Sequence, residues 1–282
     1  MPAYTVTVTG ATGKTGRHVA RQATARGWRV RAAVRARPPD ADWVRLDWDD
    51  EDSWASAFSG SQAAYIVIPF NHPGAPEKAP RLLEAGAAAG VPRIVLLSTL
   101  DAEHAPPDDP VRVAELALER LGVSWAILRP TWFLDNFTTG SFAAMTAAGE
   151  LRLPAGDARI PFVDCRDVAA VAITALAPDG PAGYLPITGP EPLSHDQVVA
   201  AVSQAFARPV RYTPVSAVEF VELMRGRGFP PAYSEFLAEA LGDVAAGRRP
   251  IPVTDTVERL TSRRPRGVME FAHDHAQLAR AP

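Results

Sequence analysis

The chain has 282 residues, 47% of them hydrophobic, and a formal net charge of −3. That size supports one large core or a core with a smaller cap, and the near-neutral balance offers no electrostatic footprint for a polyanionic partner. The single cysteine, Cys165, excludes an internal disulfide and a multi-cysteine metal cluster, and it fits a reducing cytosol.

The first residues, MPAYTVTVTG, run into a strand without a charged leader, an apolar segment and a small-residue cleavage site. No window approaches the ~18 consecutive apolar residues of a membrane helix. The expectation is a soluble cytoplasmic protein.

Short β-branched runs follow at 4–9, 30–34, 64–68, 94–97 and 125–128, with a shorter one at 184–187. Several are uninterrupted rather than alternating, as in strands buried on both faces. Helical stretches at 14–26, 50–58, 79–89 and 111–121 lie between them, so the order predicts a parallel sheet with right-handed crossovers. After Ala207 the pattern turns helical. Ser194 with Gln197 and Ser216 with Glu219 read as capping boxes, and a further helix is expected from Pro231 to about Ala246, with its proline in the first turn. The expected organisation is a doubly wound α/β domain over 1–134 and 162–190, with a smaller, mostly helical substrate cap over 135–161 and 191–282.

The strongest motif is Thr9-Gly-Ala-Thr-Gly-Lys-Thr-Gly16, placed directly between the first strand and the first helix. Gly10 allows the tight turn, Gly13 lets backbone approach a pyrophosphate, and Gly16 lets the helix pack close. The helix start then offers unpaired N–H groups to phosphates. Strand before and helix after give a glycine triplet its weight. Thr12, Lys14 and Thr15 belong to the same expected contact surface.

The spacing TGxxGxxG resembles the short-chain dehydrogenase/reductase superfamily. The run Ala126-Ile-Leu-Arg-Pro-Thr-Trp-Phe-Leu-Asp-Asn136 resembles the "LRP…F…N" segment of its NmrA-like atypical members. Pro161-Phe-Val-Asp-Cys-Arg-Asp-Val168 is similar to their "PFV…DV", Ile187-Thr-Gly-Pro190 to their "TGP", and Leu260-Thr-Ser-Arg-Arg-Pro265 with Phe271 to their C-terminal tail. The resemblance implies an extended-type Rossmann fold and a nicotinamide cofactor. It also implies that Asp47 meets the adenine amino group, that Ile68 and Pro69 line the nicotinamide side, and that Pro130 and Ser98 touch the cofactor.

NAD-specific sites carry an acidic residue at the end of the second strand. Here the strand ends Val34-Arg35-Ala36-Arg37. A guanidinium pairs with a 2′-phosphate where a carboxylate would repel it. The expected cofactor is therefore NADPH, held by Arg35 with Arg37 or Lys14 assisting.

Short-chain reductases protonate the new alkoxide with a tyrosine that a lysine four residues later assists. This chain has no Tyr-x-x-x-Lys, because Lys14 and Lys78 are its only lysines. Where the family often has a lysine stands Arg112, followed by Glu115; an arginine can hold ribose hydroxyls but does not donate a proton near neutral pH. Ser98 and Thr99 at the end of the fifth strand, and His104 in the loop beyond, are the replacement candidates for catalysis. Each has an ordinary reading as well, as a strand terminator or a solvated loop residue. Water or a substrate hydroxyl is the alternative proton source.

Trp132, Phe133, Asn136 and Phe137 are the candidate substrate contacts, with an ordinary core as the competing reading. The favoured function is NADPH-dependent reduction of a carbonyl on a large apolar, polycyclic or quinone-like natural product. Its partner would be a small molecule, with no nucleic acid or membrane, in a monomer or weak homodimer. A non-catalytic dinucleotide sensor of NmrA type is the competing class, and a nucleotide-sugar epimerase or dehydratase ranks behind both.

Overall fold

Every residue of Thr5–Thr9 and of Arg93–Leu97 is buried, as strands covered on both faces require. The computed structural model describes residues 3–36, 42–69, 72, 74–248 and 251–280. Its strands are β1 (Thr5–Thr9), β2 (Arg29–Val34), β3 (Trp43–Arg45), β4 (Ala63–Val67), β5 (Arg93–Leu97), β6 (Ser124–Pro130), β7 (Glu150–Leu153), β8 (Arg159–Ile160), β9 (Gly183–Ile187), β10 (Leu193–Ser194) and β11 (Arg211–Pro214). Its helices are α1 (Gly16–Ala25), α2 (Asp52–Phe58), α3 (Ala75–Ala88), α4 (Pro110–Arg120), α5 (Ala143–Ala147), α6 (Cys165–Leu176), α7 (His195–Phe206), α8 (Ala217–Arg225), α9 (Pro231–Ala245), α10 (Thr256–Thr261) and α11 (Val268–Arg280).

The chain divides into two compact units. The first comprises residues 1–130, 165–187 and 255–263; the second comprises 131–164, 188–254 and 264–282. Helix α10, expected with the C-terminal part, packs on α6 and so belongs to the first unit.

The first unit holds a seven-stranded sheet in the order β3-β2-β1-β4-β5-β6-β9. Every neighbouring pair is parallel, which is the doubly wound Rossmann arrangement. All carboxyl ends therefore share one edge, and the order reverses between β1 and β4. On one face α2, α3 and α4 bury a core that includes Trp54, Phe58, Leu82, Ile94, Leu96 and Leu118. Helix α3 starts four residues before its expected position, with Pro76 in the first turn and Pro80 inside. Pro76 lacks an N–H that would have had no helical partner, whereas Pro80 forgoes the bond to the Pro76 carbonyl. At α4, Asp109 caps the helix by accepting from the N–H groups of Val111 (2.9 Å) and Arg112 (3.2 Å), with Pro110 at the first position.

The second unit is mainly helical, as expected, with a core that includes Phe142, Leu151, Phe220, Met224, Leu241 and Phe271. It also contains two small ladders, β7 with β11 in parallel and β8 with β10 antiparallel. Pairings this short leave no usable periodicity in the sequence. The box at Ser194 is complete, with Gln197 returning a bond to the cap backbone. At Ser216 only the serine half forms, because the Glu219 carboxylate pairs with Arg152 instead. No described helix is long and apolar enough to cross a membrane.

His195 opens α7 and is fully buried. The rings of Phe162, Tyr212 and Phe137 lie 5.3, 5.4 and 6.0 Å away, and neither imidazole nitrogen has a hydrogen-bond partner among the described residues. Burial pushes its pKa from 6.5 down to about 4. The unfolded chain therefore takes up a proton between those pH values that the folded chain refuses. Stability present above pH 6.5 drains away as pH falls towards 4, by about 3 kcal/mol in full. Urea unfolding across pH 7.5–4.5 should show wild type losing at least ~2 kcal/mol more than His195→Met over that window. Parallel curves would mean that the imidazole is not held neutral.

Candidate functional site

The loop between β1 and α1 is built around one carbonyl. Gly10 takes a left-handed conformation with φ +57°, and its oxygen accepts the Gly13 N–H at 2.8 Å. A Cβ at Gly16 would lie 2.1 Å from that same oxygen, and one at Gly13 would lie 3.0 Å from it. Only glycine at 16 lets the helix start this close to the strand end. The loop is pinned from β4 on both sides: Thr9 Oγ1 accepts the Val67 N–H at 2.8 Å, and Tyr65 donates to Thr15 Oγ1 at 3.0 Å.

This pinning leaves backbone donors open. The N–H groups of Thr12, Thr15 and Gly16 meet no acceptor among the described residues. Gly10, Thr12 and Gly13 are exposed, so the loop presents bare backbone at the start of a helix. Unpaired N–H groups, the positive end of the helix and a missing Cβ together fit a pyrophosphate. The Thr15 hydroxyl faces Tyr65 inside the fold, so only its backbone is on offer. Lys14 is half-buried in the same loop.

The other expected contacts follow along the shared edge. Arg35 lies just past β2, exposed and without an ion pair among the described residues; Arg37 lies outside the described residues. Asp47 turns back on its own loop, accepting from the Asp49 N–H at 3.1 Å and from Arg45 at 3.3 Å. Ser53 and the Trp54 indole fix its backbone. Ile68 is 2% exposed and belongs to the core, while Pro69 beside it is half-buried.

Ser98 and Arg112, both expected at the cofactor, lie at the far end of the edge. Ser98 is 3% exposed, and its hydroxyl donates to Glu115 Oε1 at 2.6 Å, so its proton is already committed. Arg112 Nη1 donates to Glu115 Oε2 at 2.8 Å and to the Tyr184 hydroxyl at 2.9 Å. Thr99 is half-buried in extended backbone, and His104 is exposed. Pro130 closes β6 and is buried. The tyrosines of the first unit supply no replacement acid: Tyr4 donates to the Leu176 carbonyl, Tyr65 is fully buried, and Tyr184 donates to Glu119.

Arg129 and Glu115 were not singled out as a pair from the sequence. Arg129 donates from Nε and Nη2 to Oε1 and Oε2 of Glu115, at 3.0 and 2.8 Å. Burial alone would raise the Glu115 pKa, but hydrogen bonds from Arg129, Ser98 and Arg112 outweigh it and hold the carboxyl below its ordinary value. The available signal was an arginine inside an apolar strand, since arginines are almost never buried unpaired.

The candidate substrate residues fall in the second unit. Phe137 is 1% exposed and packs edge-on against Phe142 and Phe162 within the core of the second unit. Trp132 packs on the same core, Phe133 bridges Val163 through backbone, and Asn136 is buried.

Sheet order, the glycine loop and the switch between β1 and β4 define a Rossmann-type α/β protein. The NmrA-like family profile matches residues 2–246, and the chain belongs to that family. It is 32% identical over 260 residues to an NAD(P)H azoreductase of Xenophilus azovorans, with 88% of each chain covered. It is also 32% identical to the (4-alkanoyl-5-oxo-2,5-dihydrofuran-3-yl)methyl phosphate reductase of Streptomyces griseus, over 96% of this chain and 98% of that one. Among solved structures, an NADPH-dependent quinone oxidoreductase of Escherichia coli in complex with NADPH shares the fold. The TM-score is 0.79 at 21% identity, over 95% of this chain and 99% of that one.

The glycine geometry makes a graded prediction. Gly16→Ala drives a Cβ into backbone and should cost more than about 2 kcal/mol, at the upper end of overpacking effects. Gly13→Ala meets the same oxygen at a distance that a small shift relieves, and should cost under about 1 kcal/mol. Thermal and urea unfolding of both variants would check this; equal losses would contradict the loop geometry.

Proposed function

We propose that the chain is an NADPH-dependent oxidoreductase, and in particular a reductase of activated carbonyls on large apolar, polycyclic or quinone-like molecules. The observation that carries the cofactor reading is the open row of backbone N–H groups at Thr12, Thr15 and Gly16 above the Gly10 turn. Relatives at 32% identity named as reductases, matched over 88% and 96% of this chain, support the reaction class.

In this reading the glycine loop holds the pyrophosphate and Arg35 pairs with the 2′-phosphate. When bound, NADPH supplies a hydride to the carbonyl carbon. The carbonyl π electrons become an alkoxide lone pair, which then needs a proton. Ser98 does not provide it, because its hydrogen is held by Glu115. Water or a hydroxyl of the substrate supplies the proton, which suits acceptors whose reduced form is already a weak base. The second unit would form the substrate cap, and the enzyme would act in the cytoplasm on a natural-product intermediate.

A second reading, dinucleotide sensing without turnover, is favoured by one observation: the described tyrosines of the first unit and Ser98 all have their hydroxyls engaged or buried. NADPH oxidation against a panel of ketones, quinones and azo compounds separates the two. Tight binding with no oxidation by any acceptor would favour the sensor.

The choice of cofactor is tested at Arg35. Arg35→Ala should weaken NADPH binding by roughly 1.5–3 kcal/mol and leave NADH nearly unchanged, since only the former carries the 2′-phosphate. Titrating both nucleotides by fluorescence reads this directly, and equal losses would remove Arg35 from the phosphate. Turnover should survive Thr99→Ala and His104→Ala with losses well below a hundredfold in kcat. A dedicated acid is typically worth about 10²–10⁴-fold, so a larger drop would identify one.

A further inference from the structure

At the β5–β6 end of the shared edge, one buried carboxylate ties together residues from β6, α4 and the end of β5. The Ser98 N–H donates to the Leu128 carbonyl at 2.8 Å, continuing the β5–β6 pairing one residue past β5. Its hydroxyl then reaches Glu115 on α4. Arg129, the residue before Pro130 at the end of β6, grips the same carboxylate through two nitrogens. Arg112 adds a further bond from α4 itself. On the solvent side the Tyr184 ring lies 3.8 Å from the Arg129 guanidinium carbon, and Arg112 and Glu119 meet at the Tyr184 hydroxyl. Glu103 completes the surroundings, 3.6 Å from Arg129 Nη1.

This arrangement does not move protons. A guanidinium stays protonated near neutral pH, so the route from Ser98 to the exposed Glu119 is interrupted at both arginines. What it does is mechanical. Glu115 is the common acceptor for the ends of two adjacent strands, and the loops from those ends begin at Thr99 and just after Pro130.

We propose that Glu115 is a positioning residue that fixes the Ser98–Thr99 and Arg129–Pro130 edge, with Ser98 as its anchor rather than a proton donor. The proposal rests on the reductase reading for its catalytic consequence, but not for the anchoring itself.

The test compares wild type with Glu115→Gln and Ser98→Ala. Amide hydrogen exchange without cofactor reads the anchoring. Glu115→Gln should speed exchange in residues 98–104 at least tenfold, with the loop 9–16 within twofold of wild type. Kinetics with NADPH and 1,4-naphthoquinone read the consequence. Glu115→Gln should lower kcat at least tenfold, with the NADPH Kd within threefold and the pH–rate profile unchanged in shape between pH 6 and 8. Ser98→Ala should move both readouts the same way, with exchange up at least threefold and kcat down less than tenfold. Wild-type exchange in Glu115→Gln would overturn the proposal. So would a thousandfold kcat loss in Ser98→Ala with exchange unchanged, which would make Ser98 the acid. Should Glu115→Gln not fold, Ser98→Ala decides alone, and unchanged exchange there counts against the proposal. If wild type neither binds NADPH nor reduces the quinone, the functional reading fails while the exchange comparison still judges the anchoring.

Discussion

Glu115 is fully buried, and a carboxylate in that position would cost several kcal/mol if it were left unpaired. The local architecture of the first unit offsets that cost. Arg129 supplies a bidentate grip, the strongest geometry available to a carboxylate, and Ser98 and Arg112 occupy further lone pairs. The pair is not a source of stability in itself, since apolar residues of equal volume often do as well. It provides specificity of position. A hydroxyl at the end of β5, a guanidinium near the end of β6 and the first turns of α4 all meet at this one carboxylate. The outer strand β9 adds Tyr184 as a lid over Arg129, which places an aromatic face against a cation.

The opposite end of the edge follows the reverse logic. Around Gly10 the side chains are small or turned inward, and the fixed groups are backbone. Close approach between Gly10 and Gly16 leaves no room for a side chain, and the Thr15 and Gly16 N–H groups at the helix start, on buried residues, meet no acceptor among the described residues. One end of the edge thus has Ser98, Glu115 and Arg129 bonded to one another, and the other keeps backbone N–H groups without an acceptor among the described residues. In the proposed function this divides the work. Affinity arises at the phosphate end, where backbone donors are unpaired, while the other end contributes a shape that Glu115 helps to hold.

That contrast also explains what could and could not be read in the sequence. The strands were visible because burial on both faces demands unbroken apolar runs, and the loop was visible because its glycines are spaced by a steric requirement. Both signals are local. The surroundings of Ser98 and Arg112 were not legible because partners come from other elements, Glu115 on α4 for Ser98 and Tyr184 on β9 for Arg112. The buried His195 was likewise read only as part of a capping sequence. The cap was correct, since Ser194 and Gln197 form it, yet the aromatic surroundings of the imidazole come from residues 33 to 58 positions before it and from Tyr212 after it. The ladders β7–β11 and β8–β10 escaped for a simpler reason, being too short to show a period.

An arginine at position 112 has a consequence for chemistry as well as for packing. A lysine there would offer a compact ammonium whose pKa shifts when it is desolvated, and which can lower the pKa of a neighbouring hydroxyl in a proton relay. The forked guanidinium instead joins two acceptors at once, Glu115 and Tyr184, and stays charged. The hydroxyl it meets belongs to Tyr184, which burial and the Glu119 bond push above its ordinary pKa, further from any acid role near neutral pH. Arg112 is here a structural junction between Glu115 and Tyr184. Under the proposed function, the acceptor must then form a reduced product that takes its proton from water without assistance. Quinone-like and other conjugated carbonyls meet that condition because charge on the product oxygen is delocalised; simple aliphatic ketones, whose alkoxides are strong bases, do not.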